Sequence, residues 1–141
     1  MSKIKSTKST NFRKAYASSG KLMLAGKNAE QNEELVKQIM KDMNAKEEIV
    51  LHTKAAGSPF VNIKGKANKK DIKEAAIFCA KFSRDWKKNK GNVEVHYFLG
   101  KDIYKEKGMK TGTFGVRKVK KIIVKKKELE REETETKNTE K

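Results

Sequence analysis

Apolar residues in this chain fall into short alternating stretches and two helical stripes, set between a polar start and a polar end. Residues 12–16 and 21–25 flank Ser18-Ser19-Gly20, which predicts two short strands in a hairpin. Gly26-Lys27-Asn28 breaks that pattern, and Leu35, Val36, Ile39, Met40 and Met43 then recur at helical spacing. They predict an amphipathic helix over 29–43, capped by Asn28 and favoured by Glu30, Glu33 and Glu34 in its first turns. Residues 48–52 and 60–64 read as strands joined by the tight Ala55-Ala56-Gly57-Ser58-Pro59 connection. Ile72, Ala75, Ala76, Cys79, Phe82 and Trp86 form the second stripe, a helix with one buried face that ends at residues 89–92. Val93, Val95, Tyr97 and Leu99 alternate with Glu94, His96 and Phe98, a strand with one buried face. A glycine-bearing basic loop over 105–112 precedes two closing strands, 113–117 and 119–124.

The order ββ-α-ββ-α-β-ββ predicts a single α+β domain, two amphipathic helices packed on a mainly antiparallel sheet. With 141 residues the chain has room for one modest core. We assign residues 1–10 to a disordered basic arm, 11–127 to the folded domain and 128–141 to a disordered tail without an apolar face. A lone cysteine, Cys79, excludes an internal disulfide framework and fits a reducing compartment. No apolar run approaches the roughly 20 residues that cross a bilayer, and the basic N-terminus lacks a secretory apolar stretch. The expectation is a soluble, cytoplasmic protein with no membrane partner.

Charge changes the picture from fold to partner. The chain carries 35 Lys+Arg against 18 Asp+Glu, a net +17. From residue 128 onward six Glu face three bases, so residues 1–127 stand at +20. A body this basic repels itself and calls for a polyanion, of which RNA or DNA is the usual one.

Three groups of residues can do chemistry on such a partner. Asn28, Gln31 and Asn32 lie at a strand-to-helix junction, where free amides and amide side chains can meet phosphate, ribose or base edges. The same three also make sense as a cap plus two loop ties. His52 ends a strand beside Ser58, a place to meet a ligand or to hold the Gly57-Ser58 turn; neither has a metal-ligating or acid–base partner at suitable spacing. Lys105, Lys107 and Lys110 flank Gly108, so backbone and ammonium groups can approach phosphates there, as can Lys27 and Arg117. Arg117, Lys118, Lys120 and Lys121 make a general phosphate-facing stripe, whereas Phe82 and Trp86 belong to the core. No cofactor or metal motif is present.

Four stretches together resemble the NFACT-R domain, in that family's order. GKNAEQNEEL (26–35) is similar to its glycine–basic–Asn…Gln-Asn signature, and KEKGMKTGTF (105–114) to its lysine–glycine loop. IVLHTKAAGSPFV (49–61) resembles its strand–His–Gly-Ser element and EAAIFCAKFS (74–83) its alanine-rich helix. The resemblance spans about 17–124 and implies an RNA-binding module, best known from ribosome-associated quality-control factors that work around tRNA and the large ribosomal subunit. It implies no tailing activity here, and a stand-alone form is the expectation. Pro59 and Phe60 stand where the long factors commonly have a His after Gly-Ser, so any role of that His is absent.

The expected function is non-enzymatic binding of structured RNA, tRNA or rRNA, in translation-related metabolism. Asn28, Gln31, Asn32, His52 and Ser58 would form the specific pocket, and Lys27, Lys105, Lys107, Lys110 and Arg117 the phosphate contacts. Two alternatives stay open: a small RNA-processing or RNA-modifying enzyme or subunit using the Asn28/Asn32/His52/Ser58 cluster, and a basic protein coating DNA. The acidic tail would fold over the basic surface and compete with RNA.

Overall fold

The computed structural model describes residues 11–140, and the expected basic arm lies outside the described residues. Strands β1 (Arg13–Tyr16) and β2 (Leu22–Ala25) form the expected hairpin. Helix α1 (Ala29–Lys41) starts where Asn28 Oδ1 accepts from Gln31 N. It stops short of Met43, because the Asp42 side chain accepts from Asn44 N and starts a 3-10 turn instead. Met43, read as part of the apolar stripe, is therefore exposed. Strands β3 (Ile49–Thr53) and β4 (Val61–Ile63) follow, then helices α2 (Lys69–Lys81) and α3 (Arg84–Asn89). The second stripe is thus two helices rather than one: Ser83 Oγ accepts from Trp86 N and donates to Ala80 O, capping a new helix. Next come β5 (Val93–Leu99), β6 (Ile103–Tyr104), β7 (Gly115–Val116), β8 (Lys120–Val124) and helix α4 (Lys126–Glu140).

The fold is α+β, as the pattern predicts. Six strands pair antiparallel in the order β1-β2-β4-β3-β5-β8, while β6 and β7 pair only with each other. The closing segment 113–117 joins β6 rather than the main sheet.

Both faces of the sheet are buried, which corrects the one-face reading of β5. On one side Val93 and Val95 pack with Leu51, Val61, Ile63 and the apolar positions of α2 and α3. On the other, Phe98 packs with Val50, Phe60 and Leu35, Val36 and Ile39 of α1. The strand residues sort by the two-residue alternation of the pleat. His52 and His96, directly opposed in the β3–β5 pairing, share the α1 face with Val50 and Phe98.

Residues 128–140, expected to be a disordered tail, lie in α4. Leu129 is fully buried against α2, and Glu128 pairs with Lys73, Glu132 with Lys81 and Glu133 with Lys90. Trp86 Nε1 also donates to Glu133, at 2.8 Å. A single apolar residue gives no periodicity, so the docking leaves no pattern in the sequence. The tail covers the α2–α3 face of the sheet, opposite α1.

Candidate nucleic-acid interface

The connection between β2 and α1 is fixed by contact rather than by capping alone. Asn32 is buried in the first turns of α1; its Oδ1 accepts from Phe60 N at 3.0 Å and its Nδ2 donates to Ser58 O at 3.3 Å. It takes the place of a neighbouring strand for the chain just before β4. Gly26 makes this possible, since a Cβ there would collide with the Asn32 side chain and stand 2.8 Å from its backbone N. Gln31 turns back over the junction, accepting from Lys27 N at 3.0 Å and donating to Asn11 O at 3.2 Å.

Ser58 is also an internal strut. Its Oγ accepts from Thr53 N at 3.0 Å and donates to Pro59 O at 3.1 Å, and the residue is buried. This closes the turn after β3, where Gly57 sits at φ +93°. The hydroxyl bonds backbone groups of its own turn, the geometry of a structural strut.

His52 Nδ1 lies 2.7 Å from Thr53 O. A carbonyl can only accept, so Nδ1 carries the hydrogen and Nε2 is the lone-pair nitrogen of the neutral ring. Burial pushes the imidazole below its ordinary pKa; the Thr53 bond opposes this and the nearby His96 adds to it. The ring lies 4.4 Å from Phe60, tilted by 38°, and Phe60 meets Phe114 edge-on at 5.7 Å. These three rings form a continuous aromatic wall.

The lysine–glycine loop reaches this wall through Glu33. Gly112 N donates to Glu33 Oε1 at 2.7 Å, and Lys105 Nζ donates to the same oxygen at 3.0 Å. Burial pushes the Glu33 carboxyl up, but the Gly112 N–H and the Lys105 and Lys37 ammonium groups outweigh it and hold it below the usual carboxylate range. Gly112, at φ +81°, lies so close to Ala29 that a Cβ would stand 3.0 Å from its carbonyl oxygen. Lys105 further donates to Lys110 O at 2.6 Å and Thr113 O at 2.7 Å, and its ammonium lies 4.5 Å from the Phe114 ring centre. Its three N–H donors go to Glu33 of α1 and to the Lys110 and Thr113 carbonyls, so Lys105 ties the loop to α1 instead of presenting charge to a phosphate.

Between these elements opens a cleft of about 780 Å³. Lys27, Asn28, Asn32, His52 and Ser58 all line it, as do Gly112, Thr113 and Phe114 from the end of the loop. Gln31, Lys105, Lys107, Lys110 and Arg117 are not in its lining. Lys107 and Lys110 are exposed beside it on the loop, and exposed Arg117 lies over the Tyr104 ring at 4.9 Å. The structure adds residues that no spacing indicated: Arg13, Lys54, Arg84 and Lys87 on the cationic rim, with Phe98 in the wall. Arg13 stacks its guanidinium on Phe82 at 3.9 Å; half-buried Phe82 packs against the core cluster that holds Trp86 and also borders the cleft. These rim residues come from β1, the β3–β4 turn and α3, segments that meet only in three dimensions. Glu33 was legible only as a favourable charge at a helix start.

The chain is similar to known proteins. A family model for the NFACT protein RNA binding domain matches residues 8–118, which include both segments that meet at Glu33. Over 105 residues the chain is 33% identical to the archaeal Rqc2 homolog aRqcH of Methanocaldococcus jannaschii, covering 70% of this chain and 15% of that protein. The solved C-terminal part of the fibronectin/fibrinogen-binding protein from Streptococcus suis is similar with a TM-score of 0.70 and 26% identity, over 85% of this chain and 48% of that one. The chain thus spans less than half the length of either relative. With a family model matched over residues 8–118, most of its length, the chain belongs to the NFACT RNA-binding domain family.

Proposed function

We propose that this protein binds structured RNA, tRNA or rRNA, in translation-related RNA metabolism, in the cytoplasm and without a catalytic step of its own. The observation that carries the reading is the cleft at the junction of α1 and the lysine–glycine loop, rimmed by exposed Lys27, Lys54, Arg84 and Lys87. A net charge of +17 supplies the long-range attraction to a polyanion, and the rim concentrates cations where a backbone can run beside an opening. Lys107, Lys110 and Arg117 extend the phosphate-facing surface along the loop. Asn28 and His52 face the RNA from the cleft, while Gln31, Asn32, Ser58 and Lys105 hold the surface in shape. The relation to an Rqc2 homolog favours a ribosomal setting over DNA coating.

The test is equilibrium binding to purified tRNA and to duplex DNA across a salt series. We expect tighter binding to tRNA and a steep negative slope of log affinity against log salt. Changing Lys107 and Lys110 to Glu should lower affinity for every RNA and flatten the slope by about one for each phosphate no longer neutralised. Equal binding of both nucleic acids would favour the DNA-coating reading instead.

A further inference from the structure

We propose that the cleft accepts one unstacked nucleotide, its base against the His52–Phe60–Phe114 wall and its flanking phosphates on Lys27, Lys54 and Arg84. The inference rests on the RNA-binding reading above and names the part of the RNA that is read.

The size and lining of the opening fit this ligand. Its volume of about 780 Å³ is of the order that ligand pockets span, roughly 300–1,000 Å³. An A-form duplex shows a protein its shallow minor groove and phosphates, and so can meet only the rim. An unpaired nucleotide can turn inward, where aromatic faces replace its neighbouring bases.

Two polar groups at the cleft give the base edge something to bond. His52 holds its hydrogen on Nδ1, leaving Nε2 as an acceptor without a protein partner in the described residues. An amino or imino N–H of a base is its natural complement. Arg13 Nε is a buried donor with no acceptor among the described residues, although the guanidinium is fixed on Phe82. Buried donors are nearly always satisfied, so an orphan lining a cleft points to an acceptor that arrives with the ligand. A base carbonyl or a phosphate oxygen supplies one. The cleft therefore combines an acceptor, a waiting donor, an aromatic wall and a cationic rim, the four features an extruded nucleotide needs.

Val119 lines the cleft and is 49% exposed, so a larger side chain there can fill the opening without disturbing the core. The experiment measures binding of a short RNA hairpin with an unpaired loop and of a blunt duplex carrying the same stem, for the wild-type chain and Val119→Trp. We expect Val119→Trp to weaken hairpin binding at least about fivefold, the lower range for losing one base–aromatic stack. Duplex binding should change less than twofold. In parallel, 4-thiouridine in the hairpin loop should crosslink the wild-type chain at residues 49–60 or 112–119. Equal affinities for hairpin and duplex that Val119→Trp leaves unchanged, or crosslinks confined to other segments, overturn the proposal while leaving RNA binding intact. Failure to bind either RNA overturns the RNA-binding reading and this inference with it.

Discussion

Glu33 and Lys105, 72 residues apart in sequence, are joined by a hydrogen-bonded ion pair of 3.0 Å. Their side chains are only 16% and 21% exposed, so solvent screens the pair less than it would a surface contact. Because Glu33 also accepts from Gly112 N, a single carboxylate sets where the lysine–glycine loop lies on α1. In a double-mutant cycle on thermal or denaturant unfolding, Glu33→Gln and Lys105→Met should couple by about 1 kcal/mol. Amide exchange across 105–114 should accelerate in both single variants. Simple additivity with unchanged exchange would show that the loop holds its place without the pair.

Asn32 bonds both Ser58 O and Phe60 N from inside the protein. Asn32→Ala should destabilise the fold by about 2 kcal/mol, because it strands a buried N–H and a carbonyl. Gly26→Ala should cost a similar amount, about 2 kcal/mol, by driving a methyl into Asn32. Chemical denaturation gives both values. The pair should be strongly non-additive, since removing the Asn32 side chain relieves part of the collision.

Leu129 is the apolar anchor of α4, fully buried among α2 residues. Leu129→Ala should lower stability by about 3 kcal/mol, whereas a disordered tail would show no change. Because α4 covers the face opposite α1, the same substitution should shift RNA affinity little as long as the domain stays folded. A large gain in affinity would instead revive competition between tail and RNA.

His52 titrates in the folded state below its ordinary value, chiefly because burial disfavours its charged form. The unfolded chain therefore takes up this proton first as pH falls. The stabilisation from keeping the ring neutral is full above about pH 6.5 and is lost as pH drops toward the folded pKa. His52→Phe should flatten that part of the stability–pH curve, with the neighbouring His96–Glu94 contact left in place. Unfolding curves at pH 5.0 and 7.5 for the two proteins measure it; an unchanged slope would mean that another group controls this window.

Much of the architecture is legible in the pattern of the sequence. The alternation in 93–99 gives a strand because neighbouring residues must face opposite sides of a pleated sheet. The stripe Leu35, Val36 and Ile39 gives a buried helix face for the same kind of reason. The pattern did not show that Phe98 is as buried as Val95, since covering the second face depends on where α1 crosses the sheet. Nor did it separate α2 from α3, because Ser83 caps a helix only once Ala80 O and Trp86 N lie within its reach. Among the site residues, Lys27, Asn28, Asn32, His52 and Ser58 do share one cleft. In the sequence Lys105 reads, beside Lys107 and Lys110, as a phosphate contact, yet its donors face Glu33 and two loop carbonyls.

The sequence by itself determined the local elements, the excess of positive charge and the four stretches that mark the family, because periodicity, capping and composition act over a few residues. Tertiary structure alone decided which lysines face solvent, which amides became struts, and that Arg13, Arg84 and Phe114 border the same opening. Those outcomes depend on contacts between residues dozens of positions apart, whose geometry is set by how the helices pack on the two faces of the sheet.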